Sequence, residues 1–403
     1  MRVTSSIPRC CTSKMLALGV IGLGRAASSM LPSLRAHPDV RIVAAADPNP
    51  AARDRFLSDF GGEAFASGAE LCAQAHVDAV YIATPHQYHA EDVRTAAAHG
   101  KHTIVEKPMA LTTSECRGMI AAARAAGIVL VVGHTHGFDP AILAMRALIA
   151  GGEYGRLRMI TSLVYTDFLY RPRRPEELDT SLGGGIMYNQ VPHQIDLVRT
   201  LAGTPLRSVK AISGVWDPKR KTEGALAALL EFEDGVAATL TYSGYDRFDS
   251  DEFQFWIGES GAEKKPNHGA ARRALGERSP SDEAALKAQS GFSGSGIRAT
   301  SDTAHQPHFG MLLVSCENAD FRIAPDGVLV YDRDGVREIA LPQARAFPNK
   351  DTVIDEFYAA VVRGVPAVHD GLWGMATVEA SLALMQSSAE RREILLEVPS
   401  AVS

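Results

Sequence analysis

The sequence predicts an α/β protein in two parts. A doubly wound parallel sheet comes first, and an α+β domain built on a large, open, mostly antiparallel sheet follows. Two patterns predict this. From Leu16 to Val132, apolar runs of strand length alternate with helical stretches and are punctuated by Gly and Pro, as βαβ units on a parallel sheet require. Beyond residue 150, strand-like runs follow one another with hairpin breaks such as Glu233-Asp234-Gly235 and Asp334-Gly335, which mark antiparallel neighbours.

The elements justify themselves in order. Leu16–Ile21 is an apolar strand that turns at Gly22-Leu23-Gly24 into a helix from Arg25 to His37, stopped by Pro38. Arg41–Ala46 is the second strand and Pro50–Phe60 the second helix, closed by Gly61-Gly62. Glu63–Phe65 is a short strand, and Ser67 caps a helix reaching Ala75. Strands Asp78–Ala83, His102–Val105 and Ile128–Val132 alternate with helices Gln87–His99 and Thr112–Ala126. After a helix over Asp139–Ala150, strands are predicted at Leu157–Thr166, Val209–Val215, Ala225–Phe232, Val236–Tyr242, Phe253–Ile257, Met311–Ser315, Phe321–Ile323, Val328–Tyr331 and Glu338–Leu341. Helices Asp351–Arg363 and Leu372–Arg391 close the chain.

The 403 residues suffice for two cores. We therefore expect a disordered extension over 1–14, a dinucleotide-binding domain over 15–135, and a substrate and dimerisation domain over 136–403. Residues 258–308 are rich in Gly, Ser, Ala and charge and read as a flexible insertion, either a bland surface loop or a flap or arm, with His305 and His308 near its end. A formal charge of −6 offers no basic surface for nucleic acid or anionic membrane, and no apolar run is long enough to span a bilayer. The five cysteines (Cys10, Cys11, Cys72, Cys116, Cys316) are scattered without metal-ligand spacing. They point to a reducing, cytoplasmic setting and to no metal site.

The first strand–helix turn carries chemistry. Gly22, Gly24 and Ala27 form G-x-G-x-x-A, in which Gly22 permits a tight turn, Gly24 lets backbone approach a pyrophosphate, and Ala27 lets helix pack on strand. Arg25 opens the helix, whose free N–H groups attract phosphate. Asp47 ends the second strand, where a carboxylate accepts from the adenosine ribose hydroxyls. The motif alone is common in ordinary strand–helix turns; Asp47 tips the reading to NAD, with NADP possible.

Later clusters occur in order: Thr84-Pro85-His86 with His89, Glu106-Lys107-Pro108, and Gly183-Gly184-Gly185 followed by His193. Together with the glycine turn they resemble the Gfo/Idh/MocA oxidoreductases from residue 15 to about 400. The resemblance implies a Rossmann domain, an open C-terminal sheet that forms a homo-oligomer contact, and NAD or NADP. It places Thr84, Pro85, His89 and Glu106 at the cofactor, a cis bond before Pro108, and Lys107 at both cofactor and reacting oxygen. Histidine suits the removal of a hydroxyl proton, so His193 is the candidate base. Asn189 stands where the family carries aspartate, and an amide cannot ionise. With His193 on a helix, Asn189 one turn earlier would share its face as a third catalytic candidate.

For the substrate, Arg171, Arg173 and Arg174 supply forked donors matched to carboxylates, and Tyr165 and Tyr170 supply rings to cover a flat molecule. A merely solvated basic loop is the competing reading. The segments Gly183–Asp196, His308-Phe309-Gly310 and Leu313–Glu317 look most like the phthalate 4,5-dihydrodiol dehydrogenase branch. That implies oxidation of a cyclic cis-dihydrodiol carrying carboxylates to a catechol. Alternatives are a sugar or inositol dehydrogenase, a glycosidase that uses NAD transiently, and a non-catalytic dinucleotide sensor.

Overall fold

A computed structural model describes residues 14–133, 135–276, 278–289, 291–295, 305–342 and 348–396. The expected N-terminal extension lies outside these except for Lys14, whose carbonyl accepts from the Tyr358 hydroxyl at 3.0 Å.

The first sheet is parallel throughout, in the order β3-β2-β1-β4-β5-β6, with β1 Leu16–Ile21, β2 Val40–Ala46, β3 Glu63–Phe65, β4 Ala79–Ile82, β5 His102–Val105 and β6 Leu130–Val132. Its strands carry few polar residues because helices cover both faces. Local signals set the helix ends. Ser67 with Glu70, and Thr112 with Glu115, form capping boxes, and Gly127 ends its helix in the left-handed conformation.

Among the described residues the second sheet has nine strands in the order β14-β13-β12-β11-β7-β10-β9-β8-β15. They are β7 Leu157–Tyr165, β8 Leu206–Gly214, β9 Ala225–Phe232, β10 Ala237–Ser243, β11 Met311–Cys316, β12 Ala319–Ala324, β13 Gly327–Asp332, β14 Gly335–Ala340 and β15 Ile394–Leu395. All pairings are antiparallel except β7 with β10. One face is buried against helices Pro140–Gly151, Val191–Ala202 and Gly371–Glu390. The other leaves Met159, Ile212 and Leu229 exposed.

Three expectations need correction. Phe253–Ile257 is no strand: Ser250–Gln254 forms a 3-10 turn capped by Asp249, and Phe255 and Trp256 both take positive φ, which breaks any extended run. The insertion carries helices at Ala270–Leu275, Pro280–Gln289 and Phe292–Ser295 rather than only loop. Helix Pro348–Arg363 does not stay with the second sheet, since its Val353, Ile354 and Phe357 join the core around β1. Among the described residues no helix is long and apolar enough to cross a membrane.

Candidate active site

The chain turns after β1 at Gly22, whose φ is +89°. A Cβ there would lie 2.9 Å from the Ala83 carbonyl and the Thr84 nitrogen, so only glycine fits. Gly24 precedes helix Arg25–Ala36 with no side-chain cap and with nothing within 4 Å of an added Cβ. The first turn of the helix thus carries no side-chain cap and borders the cleft. Ala27 is fully buried where helix meets strand. Both Asp47 oxygens are held, Oδ2 by the Leu23 N–H at 2.7 Å and Oδ1 by the Asn49 N–H at 2.8 Å. This donor set suits a dinucleotide: an open helix N-terminus for its phosphates and a fixed carboxylate for its ribose.

A cleft of about 1180 Å³ runs from this turn along the carboxyl ends of the strands and is lined by Arg25, Asp47, Thr84, Pro85, Glu106, Lys107, Asn189 and His193. His89 is not on its wall. It is fully buried, with Nδ1 2.9 Å from the Pro108 carbonyl and Nε2 2.9 Å from the Thr84 carbonyl. It clamps the Thr84 turn to the loop after β5 from behind the cleft wall, which corrects its placement among the cleft residues. Glu106 accepts from the Tyr81 hydroxyl at 2.7 Å.

The Lys107–Pro108 bond is cis, as the resemblance implied. Lys107 Nζ donates to the Asn189 carbonyl at 2.8 Å. Burial pushes the pKa of this ammonium down, against the pull of Glu106 and Glu259. Asn189 meets Lys107 only through its backbone. Its side-chain amide donates instead to the carbonyls of Gly185 at 2.8 Å and Gly183 at 3.3 Å. Its Nδ2 thus braces the glycine loop and does not engage Lys107 or His193, which corrects the expectation of a shared face with His193. Nor does it share a helix with His193: one helix ends at Asn189, Gln190 breaks the path, and a second begins at Val191 with Pro192 in its first turn.

His193 is nearly buried, and its ring stands edge-on to His136 at 5.0 Å and tilted to Phe309 at 5.1 Å. His136 is a site residue that the sequence reading missed. Its signal was position: it follows β6 at the carboxyl edge of the parallel sheet, where ligands bind. Its Nδ1 lies 2.7 Å from Asp139 Oδ2 and its Nε2 lies 3.2 Å from Glu259 Oε1. Asp196 fixes this pair of elements. Its carboxylate accepts from the Thr135 hydroxyl at 2.5 Å, the Gly137 N–H at 3.2 Å and the Trp373 indole at 2.6 Å. A Cβ at Gly137 would sit 2.3 Å from Asp196 Oδ2, so glycine is required for the approach.

Burial opposes a charge on His136, but Asp139 and then Glu259 overcome it and lift its pKa from 6.5 to about 9. A raised folded-state pKa gives stability that is complete below the unfolded value and is lost as pH rises through the folded value. Stability on the order of 3 kcal/mol is therefore expected to drain away between about pH 6.5 and 9. Melting temperature measured across that window should fall in the unmodified protein and fall less steeply in His136→Gln. Parallel slopes would show that His136 holds no extra proton.

The arginines divide. Arg171 lines the cleft and, among the described residues, engages only its Nε, with Asp167 at 2.7 Å. Asp167, with Glu259 and Tyr242 beyond it, raises its already high pKa despite burial. Arg173 is consumed internally: Nε and Nη2 donate to the Phe168 carbonyl at 3.2 and 3.0 Å, and its guanidinium lies 3.9 Å over the Phe168 ring. Arg174 pairs with Glu176 and Glu177, each at 3.3 Å. The tyrosines are corrected. Tyr170 is buried under Arg272, with its hydroxyl donating to Asp217. Tyr165 packs edge-on against Phe248 at 5.7 Å. Neither lines the cleft. His305 and His308 only anchor the end of the insertion, to Asp326 at 3.1 Å and to the Ile257 carbonyl at 2.8 Å.

The chain resembles known proteins along most of its length. Residues 16–134 match the family described as "Oxidoreductase family, NAD-binding Rossmann fold", and residues 142–262 match the "GFO/IDH/MocA C-terminal domain". A 1-carboxy-3-chloro-3,4-dihydroxycyclohexa-1,5-diene dehydrogenase from Comamonas testosteroni is 42% identical over 381 residues, covering 92% of this chain and 94% of the relative. An inositol 2-dehydrogenase from Rhizobium meliloti (strain 1021) is 29% identical over 57% of this chain and 70% of its own. The crystal structure of a presumed dehydrogenase from Bordetella bronchiseptica RB50 superposes with a TM-score of 0.90 at 49% identity, covering 94% of this chain and all of that one.

Proposed function

The chain belongs to the Gfo/Idh/MocA oxidoreductase family, and from that premise we propose that it is an NAD-dependent dehydrogenase converting a carboxylated cyclic cis-dihydrodiol to a catechol. One observation carries the reading: Lys107, His193 and Arg171 line the same cleft that opens at the Gly22–Gly24 turn. That supplies an acid–base pair and a carboxylate ligand in one space. The length over which the chain matches a dehydrogenase of a carboxylated diene-diol supports it.

In this reading Arg171 holds a ring carboxylate and Lys107 donates a hydrogen bond to the reacting hydroxyl oxygen. His193 takes that hydroxyl's proton as the C–H bond on the same carbon breaks. When bound, the nicotinamide ring of NAD supplies the acceptor for the departing hydride. The hydroxy-ketone so formed tautomerises to the aromatic catechol, which makes the oxidation strongly downhill. Asn189 then needs no charge, because it braces the loop while Lys107 and His193 divide the proton work. Specificity constants for carboxylated dihydrodiols, for inositol and for aldoses test this, with nicotinamide absorbance as the readout. A preference for the diols is expected; turnover confined to polyols would hand the site to sugar-type chemistry.

NAD rather than NADP is the expected partner. Asp47 is a fixed charge at the ribose position, and like charges brought together cost several kcal/mol. Arg53 offers a 2′-phosphate little, because its Nη1 is held by the carbonyls of Asp47 and Pro48 at 2.7 and 3.0 Å. Specificity constants should favour NAD by about tenfold or more, and Asp47→Ala should narrow the gap. Equal use of both by the unmodified enzyme would refute it.

The uncovered sheet face, with Met159, Ile212 and Leu229 exposed, supports the homo-oligomer implied by the resemblance; sedimentation as a monomer would exclude it. Free thiols at Cys72, Cys116 and Cys316 support a cytoplasmic location.

A further inference from the structure

Helices Pro280–Gln289 and Phe292–Ser295 belong by sequence to the substrate domain, yet the second packs on the other one. Helix Pro280–Gln289 is fastened to the substrate side by Glu283, whose carboxylate takes both Arg220 guanidinium nitrogens at 2.8 and 2.9 Å in a buried pair. The short helix Phe292–Ser295 packs instead on helices Pro50–Phe60 and Arg25–Ala36. Phe292 is completely buried there, in the core around β1, with its ring 6.4 Å from Phe60. Between these two fastenings Lys287, Ala288 and Ser293 line the cleft, whose walls also include Asp47 and Asn49. Lys287 Nζ pairs with Glu177 at 2.8 Å. Burial, then Arg173, pushes the pKa of Lys287 down to about 8 against Glu177, and Arg25 adds to the cationic surroundings.

We propose that helices Pro280–Gln289 and Phe292–Ser295 form a strap that closes over the bound dinucleotide, with Phe292 as its latch and Lys287 as a ligand to the diphosphate. It rests on the cofactor reading above. A large ring seated in the opposite domain is a poor surface loop but a good catch, because opening exposes the whole ring to water. An ammonium on the same cleft wall as Gly24 and Arg25 adds the counter-charge that a diphosphate needs. The cofactor then leaves only when Phe292 is withdrawn, as lids gate release elsewhere.

The test measures NADH dissociation by stopped-flow displacement in the full chain. Phe292→Ala should raise the off-rate on the order of tenfold to a hundredfold, and Phe292→Leu should restore most of the difference. Lys287→Gln should weaken NADH binding several-fold and flatten its salt dependence. Limited trypsin digestion provides a readout independent of these variants: saturating NADH should slow cleavage at Arg278 and Lys287 in the unmodified protein. Off-rates unchanged in Phe292→Ala, with cleavage indifferent to NADH, would overturn the strap while leaving the cofactor site standing. Failure of the unmodified protein to bind NADH would overturn the cofactor reading itself, and the strap with it.

Discussion

His193→Ala and Lys107→Ala are each expected to lower kcat by about a hundredfold or more, the scale of a lost acid–base group, while NADH affinity changes little. The two groups line one cleft. Lys107 reaches the backbone of Asn189, four residues before His193. Glu259 connects them a second way, since it bonds His136 beside His193 and raises the pKa of Lys107. Burial works the other way on Lys107, favouring an ammonium that gives up or shares a proton more readily than an exposed lysine. In the proposed mechanism, loss of either group removes an interaction with the reacting oxygen, so kcat and kcat/KM should fall together. Single-turnover kinetics with NADH titration separates the effects. Near-normal turnover in His193→Ala would make this histidine a packing residue.

Arg171→Ala should cut kcat/KM for a dicarboxylated dihydrodiol by roughly tenfold to a hundredfold, the worth of one charge-assisted hydrogen bond, and should barely affect the decarboxylated analogue. Arg174→Ala should have little effect on either substrate, because its ion pairs with Glu176 and Glu177 are half-exposed and exposed pairs contribute little. Arg173→Ala should damage folding more than selectivity, since its guanidinium holds the Phe168 carbonyl and covers the ring. The contrast among neighbours in a single loop is the discriminating feature. Loss of both substrates to the same degree in Arg171→Ala would assign the loop to structure and favour a neutral polyol as substrate.

Most of the fold was legible because its signals are local. Asn49 caps its helix through Ala51, Ser67 and Thr112 close capping boxes, and the parallel strands are apolar runs with turn residues at both ends. What escaped depends on contacts distant in sequence. Phe253–Ile257 has the composition of a strand, but two consecutive positive φ angles turn it away from the sheet. His136 carries no motif of its own, and only the fold brackets it between Asp139 and the insertion's Glu259. The same holds for the arginines. Their spacing advertised a carboxylate site, but only the fold reveals that Phe168, Glu176 and Glu177 occupy two of them. Asn189 is the clearest case: its place in the motif suggested catalysis, and the direction of its amide shows a brace.

The most direct test of the central claim is the stoichiometry of one reaction. The purified enzyme is incubated with NAD and a dicarboxylated cis-dihydrodiol carrying deuterium at the hydroxyl-bearing carbons, and catechol, reduced cofactor and label are quantified together. One catechol is expected for each NADH, with one deuterium carried on the nicotinamide and a matching loss of the dihydrodiol. Unreacted diol alongside brisk reduction of NAD by inositol or an aldose, or product formed with no net NADH, would contradict it.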